Sequence, residues 1–292
     1  MSATPSDLAD LRRQLDEIDD RMHDLLIERA EIVAQVAARK AGGAGAFYQP
    51  AREAQILRRL VARHHGGLPA AAVVRIWREM LAATVRLETP FAVAVFAPAE
   101  AQGYWDLARD HYGSHAPLTA YRSPGQVIRA VSEGRAAVGI LPLPQEGDTD
   151  PWWRYLAAEN GRAPRVVARL PFGARGNARG EGADAFVIGH GPYQPSGADR
   201  SLFLTESSAG ISRTRLLGVL SEAGLSCTFF AACEQAEGVL NLIEVDGFVV
   251  GADPRVAQFR ARLGTALHRV LPFGGYALPL AAAALSPDTA KG

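Results

Sequence analysis

Apolar and polar positions alternate with the period of an α-helix through the first ninety residues. In the segment 7–40 the apolar residues recur at three- and four-residue steps: Leu8, Leu11, Leu15, Ile18, Met22, Leu25, Ile32 and Val36. This spacing places them on one face of a helix, for which Asp7 is a suitable N-cap. At about 1.5 Å per residue the helix would be roughly 50 Å long. A small monomeric bundle cannot cover that length, so we expect the helix to pair with a second chain.

Two further helices are predicted before residue 90. The glycine-rich run 41–45 predicts the end of the first helix, and Pro50 suits the first turn of the second. The second helix has its buried face at Ile56, Leu57, Leu60 and Val61. The third begins near Pro69, and its inward stripe consists of Val73, Trp77, Met80, Leu81, Thr84 and Glu88.

Polar residues interrupt the predicted inward faces of all three helices. They are Arg29, Lys40, Arg52, Glu53, Thr84 and Glu88. Any one of them alone could be a surface charge or a satisfied core hydroxyl. A dry core would not tolerate the whole set, whereas a small cavity filled by an anion would. The cations outnumber what Glu53 can neutralise, so we expect a doubly anionic ligand with further oxygens.

These residues include no pair of a nucleophile and its base. The set therefore favours chemistry that depends on positioning and electrostatics and needs no covalent intermediate. No cofactor is expected.

The motifs that carry these residues resemble the all-helical chorismate mutase family over residues 7–89. In order along the chain they are Leu11-Arg12, Ile18-Asp19, Leu25-Leu26-Ile27-Glu28-Arg29, Lys40, Pro50-Ala51-Arg52-Glu53 and Thr84-Val85-Arg86-Leu87-Glu88. The resemblance implies an all-α three-helix domain in an intertwined homodimer. It also implies an enzyme that rearranges chorismate to prephenate.

The resemblance implies a role for each matching residue. Arg12 would reach into the partner's site and bind one substrate carboxylate, while Arg29 would bind a carboxylate in its own site. Lys40 would contact a carboxylate and the ether oxygen that gains charge as the C–O bond breaks. Arg52 would support the ring carboxylate, and Glu53 would accept a hydrogen bond from the ring hydroxyl.

Three substrate-binding positions differ from the family's usual residues or vary within it. Thr84 stands where the family often has serine, and Gln49 stands where some members have an aspartate that contacts the ring hydroxyl. Glutamine can still donate and accept a hydrogen bond at the ring hydroxyl, so we expect only a modest effect on activity. Glu88 stands where the family has glutamine or glutamate. A carboxylate would repel the developing charge on the ether oxygen, so our hypothesis is that Glu88 works protonated.

Length and composition limit the remaining possibilities. The chain has 292 residues, which suggests about two domains. Lys plus Arg and Asp plus Glu each number 31, so the net charge favours neither a nucleic acid nor a membrane partner. The two cysteines, Cys227 and Cys233, form no CxxC pair, and neither a metal site nor a disulfide framework is expected. Without a signal-peptide pattern or a bilayer-spanning segment, a soluble cytoplasmic protein is expected.

Residues 91–190 predict a small α/β region. Strands are expected at 91–96, Ala137–Leu141 and 185–189, helices near Trp105–His111 and Gly125–Glu133, and a loop over Arg162–Arg179. The pattern resembles the first part of a prephenate dehydratase domain. The family's Gly-Pro-x-Gly-Thr-Phe/Tyr-Ser and Pro-Ile-Glu-Asn-Ser motifs are replaced at 97–104 and 142–146, and the space for a second lobe is missing. We therefore expect no dehydratase activity.

Residues 198–282 resemble an ACT domain, the ferredoxin-like βαββαβ module that senses amino acids. Strands are expected at 201–205, 225–232, 240–245 and 268–272, and helices at 212–223 and 254–265. Gly210, Ile211 and Ser212 stand at the strand-to-helix turn and are the candidate allosteric site, while the second ligand motif is replaced at 232–235. A dimerisation module without ligand is favoured, and a phenylalanine-sensing site remains the alternative.

The predicted domains are therefore a helical mutase domain at 5–90, a truncated dehydratase-like region at 91–190 and an ACT-like domain at 198–282. The favoured function is a chorismate mutase whose degenerate C-terminal region is a candidate for regulation. A bifunctional mutase–dehydratase and a non-catalytic sensor with a relic mutase site are the alternatives.

Overall fold

The computed structural model describes residues 7–41, 48–157, 163–180, 182–191 and 193–286. Its first three helices are α1 (Leu8–Ala41), α2 (Pro50–Arg63) and α3 (Ala70–Glu88). They confirm the three predicted helices. The glycines of the predicted helix end at 42–45 lie outside the described residues.

Nine strands and five further α-helices follow among the described residues. In chain order they are β1 (Val93–Phe96), α4 (Gly103–Tyr112), β2 (Leu118–Tyr121), α5 (Pro124–Ser132), β3 (Val138–Pro142), β4 (Arg165–Leu170), β5 (Ala185–Gly189), β6 (Asp199–Ser207), α6 (Arg213–Glu222), β7 (Cys227–Gln235), β8 (Gly238–Asp246), α7 (Pro254–Leu263), β9 (Leu267–Ala277) and α8 (Ala282–Leu285). Short 3₁₀ helices occupy Trp152–Leu156 and Gly264–Ala266.

All nine strands form one sheet in the order β2-β1-β3-β5-β4-β9-β6-β8-β7. At one end β2, β1 and β3 are parallel and are connected through α4 and α5. At the other end β9-β6-β8-β7 is an antiparallel ferredoxin-like sheet with βαββαβ connectivity. The predicted fold class, a helical domain followed by an α/β region and a ferredoxin-like module, is confirmed.

The two halves of the sheet meet where β4 runs parallel to β9. Val166 is aligned with Gly274, whose φ of +101° is unfavourable for other residues. A Cβ atom there would collide with the carbonyl oxygen of Val166. The close approach of the two backbones therefore requires glycine at this position.

The predicted loop over Arg162–Arg179 is wrong at residues 165–170, which form β4. Val166 and Leu170 are fully buried in the sheet, and β4 pairs with β5 on one side and β9 on the other. The glycines and arginines that follow at 173–180 dominated the composition of the segment and concealed the short apolar run. Strand β2 was not predicted either, because it is a four-residue edge strand without a buried residue.

The chain divides into two compact units. One comprises residues up to 47 together with 84–90, and the other comprises 48–83 and 91 onward. In the second unit, residues of α2 and α3 share a core with residues from later in the chain. Ala54 and Leu57 of α2 and Val74 and Leu81 of α3 pack in one cluster with Phe172, Ala277 and Leu285. The domain boundaries expected from the sequence stay predictions.

Helix α1 leaves its apolar stripe exposed. The eight stripe residues of the sequence pattern are between 41% and 62% accessible in the single chain. Among the described residues, none of the helices combines the length and apolarity needed to cross a membrane.

Candidate active site

Lys40 and Glu88 meet within the first compact unit. Lys40 lies in the last turn of α1, and its Nζ donates to Oε2 of Glu88 at 3.0 Å. The side chains are only 20% and 10% exposed. Two residues 48 positions apart, both predicted to face inward, are therefore in direct contact in a largely desolvated place.

Thr84 lies on α3 one turn before Glu88 and is 9% exposed. Residues four apart on a helix project from the same face. The Thr84 hydroxyl and the Glu88 carboxyl thus share one face of α3, as their spacing predicted.

Arg29 is half-buried on α1, and burial lowers the pKa of its guanidinium. Its Nη1 atom is shielded from solvent and, within the described part of the chain, has no hydrogen-bond partner. A buried cationic donor without an acceptor is costly. A ligand carboxylate is the group that would satisfy it.

The start of α2 holds the other three positions, in the second compact unit. Gln49 is the N-cap residue, and its carbonyl oxygen accepts from the Glu53 amide at 3.1 Å. Arg52 is exposed and donates to Gln55 Oε1 at 3.4 Å. The inward orientation predicted for Arg52 is therefore wrong, because the buried stripe of α2 runs through Glu53, Ala54 and Leu57. Its role at the substrate stays a prediction.

Glu53 is paired with Arg78, a residue that the sequence analysis missed. Arg78 Nη2 donates to Glu53 Oε2 at 2.8 Å, and the two residues are 5% and 6% exposed. Arg78 Nε also donates to the carbonyl oxygen of His111 at 3.2 Å. Burial by itself lowers the pKa of Arg78, but Glu53 and Tyr48 more than offset it and the pKa is raised. The position of Arg78, one turn after Val74 and three residues before Leu81 on the apolar face of α3, was the available signal.

Aromatic side chains enclose this ion pair. The hydroxyls of Tyr48 and Tyr112 lie 3.0 Å apart, and burial raises both of their pKa values. His111 is buried, and burial lowers its pKa well below the ordinary value. Arg78 is the cation in direct contact with the Glu53 carboxylate, and it therefore balances that charge.

The remaining candidate residues lie apart from these clusters. Arg12 is exposed on α1. Gly210 and Ile211 occupy the turn between β6 and α6. Ser212 is the N-cap of α6, and its side chain accepts from the amide of Arg215 at 3.2 Å. The Ser212 hydroxyl thus already has a structural use, and the allosteric role of this turn stays a prediction. Among the described residues, no group of three or more His, Cys, Asp or Glu residues is arranged to hold a metal ion.

Residues 11–89 match the family model described as chorismate mutase type II. The chain is 31% identical over 146 residues to a bifunctional chorismate mutase/prephenate dehydratase from Pseudomonas aeruginosa, which is 48% of this chain and 40% of that protein. This chain thus matches about two fifths of that relative's length. The N-terminal segment is a chorismate mutase domain, as its motifs predicted.

Two solved structures align with more of the chain at lower identity. The alignment with GqqA, described as a quorum quenching acylase, covers 65% of this chain and 95% of the GqqA chain, at 15% identity and a TM-score of 0.46. The alignment with a prephenate dehydratase from Streptococcus mutans covers 65% of this chain and 98% of that enzyme, at 17% identity and the same TM-score of 0.46.

Proposed function

We propose that this protein is a chorismate mutase that converts chorismate to prephenate in phenylalanine and tyrosine biosynthesis. The observation that carries the proposal is the contact between Lys40 and Glu88 at 3.0 Å, within the segment that matches the mutase family. Spectrophotometric loss of chorismate, with prephenate as the product, is the direct test. Wild-type protein that leaves chorismate unchanged would refute the proposal.

The proposed mechanism is electrostatic clamping of a dianion. The Nη1 atom of Arg29, which has no hydrogen-bond partner among the described residues, binds one carboxylate. Lys40 turns from Glu88 toward the substrate and donates to a carboxylate and to the ether oxygen. Glu53, held by Arg78, accepts from the ring hydroxyl. Because the ether oxygen gains charge only as its C–O bond breaks, the Lys40 contact strengthens in the transition state and accelerates the reaction.

The proposed assembly is a homodimer in which Arg12 acts in the partner's site. Two observations support it: the apolar stripe of α1 is 41–62% exposed in the single chain, and Arg12 is exposed on the same helix. A stripe of this length is an unusual amount of apolar surface for a monomer to leave in water. A second α1 would cover it and would bring Arg12 to the other subunit.

Mixing two inactive variants should restore activity if Arg12 acts in trans. In a heterodimer of Arg12→Ala and Lys40→Met subunits, one of the two sites has both residues intact. Random reassortment should therefore recover about a quarter of wild-type activity per site. Turnover is measured after co-refolding, with each variant refolded alone as the control. If the mixed variants were no more active than each variant refolded alone, Arg12 would not complete the partner's site.

We propose that Glu88, which pairs with Lys40 in the structure, becomes protonated when Lys40 turns toward the substrate and then donates to the ether oxygen. Activity is then lost as pH rises, because the ionised carboxylate neither donates nor tolerates the developing negative charge. Glu88→Gln donates at every pH, so its kcat profile should be flat where the wild-type profile falls. Glu31→Gln, on the exposed face of α1, is the matched control and should keep the wild-type profile. Identical profiles for wild type and Glu88→Gln would reject this role.

Dehydratase activity is proposed to be absent. The proposal rests on the replaced motifs at 97–104 and 142–146, although the matched relatives are named as bifunctional enzymes. Prephenate supplied to the protein at neutral pH should remain prephenate. Formation of phenylpyruvate above the spontaneous rate would establish the bifunctional alternative.

A further inference from the structure

Arg58 anchors α2 to the ferredoxin-like part of the sheet. Its Nη1 donates to the carbonyl oxygen of Ser196 at 3.0 Å and to the Ser196 hydroxyl at 2.9 Å. Its Nη2 donates to the carbonyl oxygens of Ala198 at 2.9 Å and Leu278 at 2.7 Å. The guanidinium also lies 5.8 Å from the centre of the Phe172 ring. One side chain of α2 thus bonds the residue before β6 and the residue after β9.

The receptor for Arg58 is built and held by Asp199, which is 4% exposed. The Asp199 carboxylate accepts from the Ser196 amide at 2.9 Å, the Ser196 hydroxyl at 2.6 Å and the Gly197 amide at 3.2 Å. These bonds fold the 196–198 segment so that its carbonyls face Arg58. The Ala198 carbonyl also accepts from the Leu278 amide at 2.9 Å. The acceptors are therefore fixed before the arginine binds, which favours a single position for α2.

The N-terminal end of α2 carries Gln49 and Glu53. Arg58 follows Glu53 by five residues, which is roughly 7.5 Å along the helix. A helix transmits its position along its axis because each residue is bonded to the next turn. Leu57, beside Arg58, is fully buried in the core shared with Phe172 and Ala277. Apolar packing of this kind resists separation but is less selective for orientation than directed hydrogen bonds.

We propose that Arg58 is a positioning residue for the mutase site, through which the sheet sets the place of Gln49 and Glu53. This inference rests on the proposed function. It makes the C-terminal two thirds of the chain a working part of the mutase, because the residues that precede β6 and follow β9 supply the acceptors that hold α2. Any molecule that displaced the 196–198 segment would act on the mutase site through the same contact.

The test compares Arg58→Met with Arg59→Met. Arg59 is the exposed neighbour on α2 and serves as the matched control. If Gln49 and Glu53 contact the substrate as the proposed function requires, they do so before and during the reaction, and a displaced α2 weakens binding in both states. Arg58→Met should raise the KM for chorismate about 10-fold while kcat changes less than about 3-fold. Arg59→Met should leave both constants unchanged.

Arg58→Lys separates positioning from simple loss of folded protein. Lysine keeps the charge and part of the hydrogen bonding, so its KM should lie between those of wild type and Arg58→Met. If Arg58 only stabilised the fold, its substitution would lower the concentration of folded active sites and therefore the apparent kcat, and KM would stay unchanged. An unchanged KM in both variants overturns the inference. Should Arg58→Met fail to fold, the KM of Arg58→Lys alone decides the test.

Hydrogen exchange of the α2 amides separates this inference from the proposed function. Exchange in 50–57 should be faster in Arg58→Met than in wild type and Arg59→Met, because the helix has lost its anchor. An inactive wild-type protein would refute the proposed function, yet faster exchange would still establish the anchor. Equal exchange in all three proteins would refute the anchor even if wild-type protein is active.

Discussion

Lys40→Met is expected to lower kcat for chorismate rearrangement about 100- to 1000-fold, the usual effect of removing one donor to a developing negative charge. Lys40 Nζ lies 3.0 Å from Glu88, and its side chain is 20% exposed. Weak solvation increases the electrostatic value of its charge. KM should change less than kcat, because the contact with the ether oxygen forms mainly in the transition state. Initial rates of chorismate loss provide both constants.

Two further variants separate catalysis from folding at Lys40. Arg39→Met removes the exposed neighbouring charge on α1 and should retain wild-type kcat. Lys40→Met alone leaves Glu88 without its cation, whereas Lys40→Met/Glu88→Gln removes both charges. The double variant should recover thermal stability and remain inactive. A kcat within about 3-fold of wild type in Lys40→Met would remove Lys40 from the mechanism.

Arg78→Met is expected to reduce the free energy of unfolding by about 3–5 kcal/mol, the range for removing one partner of a buried ion pair. Arg78 and Glu53 are 5% and 6% exposed, so the substitution leaves the Glu53 carboxylate largely buried without its cation. The bond from Arg78 Nε to the His111 carbonyl is also lost. Urea denaturation at neutral pH measures the effect.

Arg75→Met is the matched control on the same helix. Arg75 pairs with Asp110 at 3.0 Å, but their side chains are 47% and 25% exposed. Pairs in contact with water contribute about 0–1 kcal/mol, so Arg75→Met should change stability by no more than that. Glu53→Gln/Arg78→Met should be more stable than Arg78→Met, because neither charge remains. Equal losses for Arg75→Met and Arg78→Met would contradict the assignment of a buried pair.

The N-terminal helices illustrate what local pattern predicts well. Their apolar stripes recur with the helical period, and this period depends only on neighbours along the chain. The same period placed Thr84 and Glu88 on one face of α3. The same period predicted the orientation of Arg52 wrongly. Adjacent residues of a helix differ in direction by about 100°, so Arg52 is exposed although its neighbour Glu53 is buried. The period also passed over Arg78, whose charge obscured its place among the buried residues of α3.

The sheet shows where local pattern is insufficient. Strand β4 was concealed by the glycines and arginines that follow it, and its burial depends on β5 and β9, which come later in the chain. That β9 joins the two halves of the sheet depends on the close approach at Gly274. A six-residue segment contains too little periodicity to reveal partners one hundred residues away.

The sequence by itself determined the three helices, the mutase motifs at 11–89, the ferredoxin-like order of elements and the inward position of Lys40, Thr84 and Glu88. Each follows from spacing along the chain or from a recognisable motif. Only the tertiary structure decided that Arg78 neutralises Glu53 and that Arg58 bonds Ser196, Ala198 and Leu278. Those contacts join residues 25 to 220 positions apart. Their formation depends on how the helices and strands pack together, which the spacing along any one element does not encode.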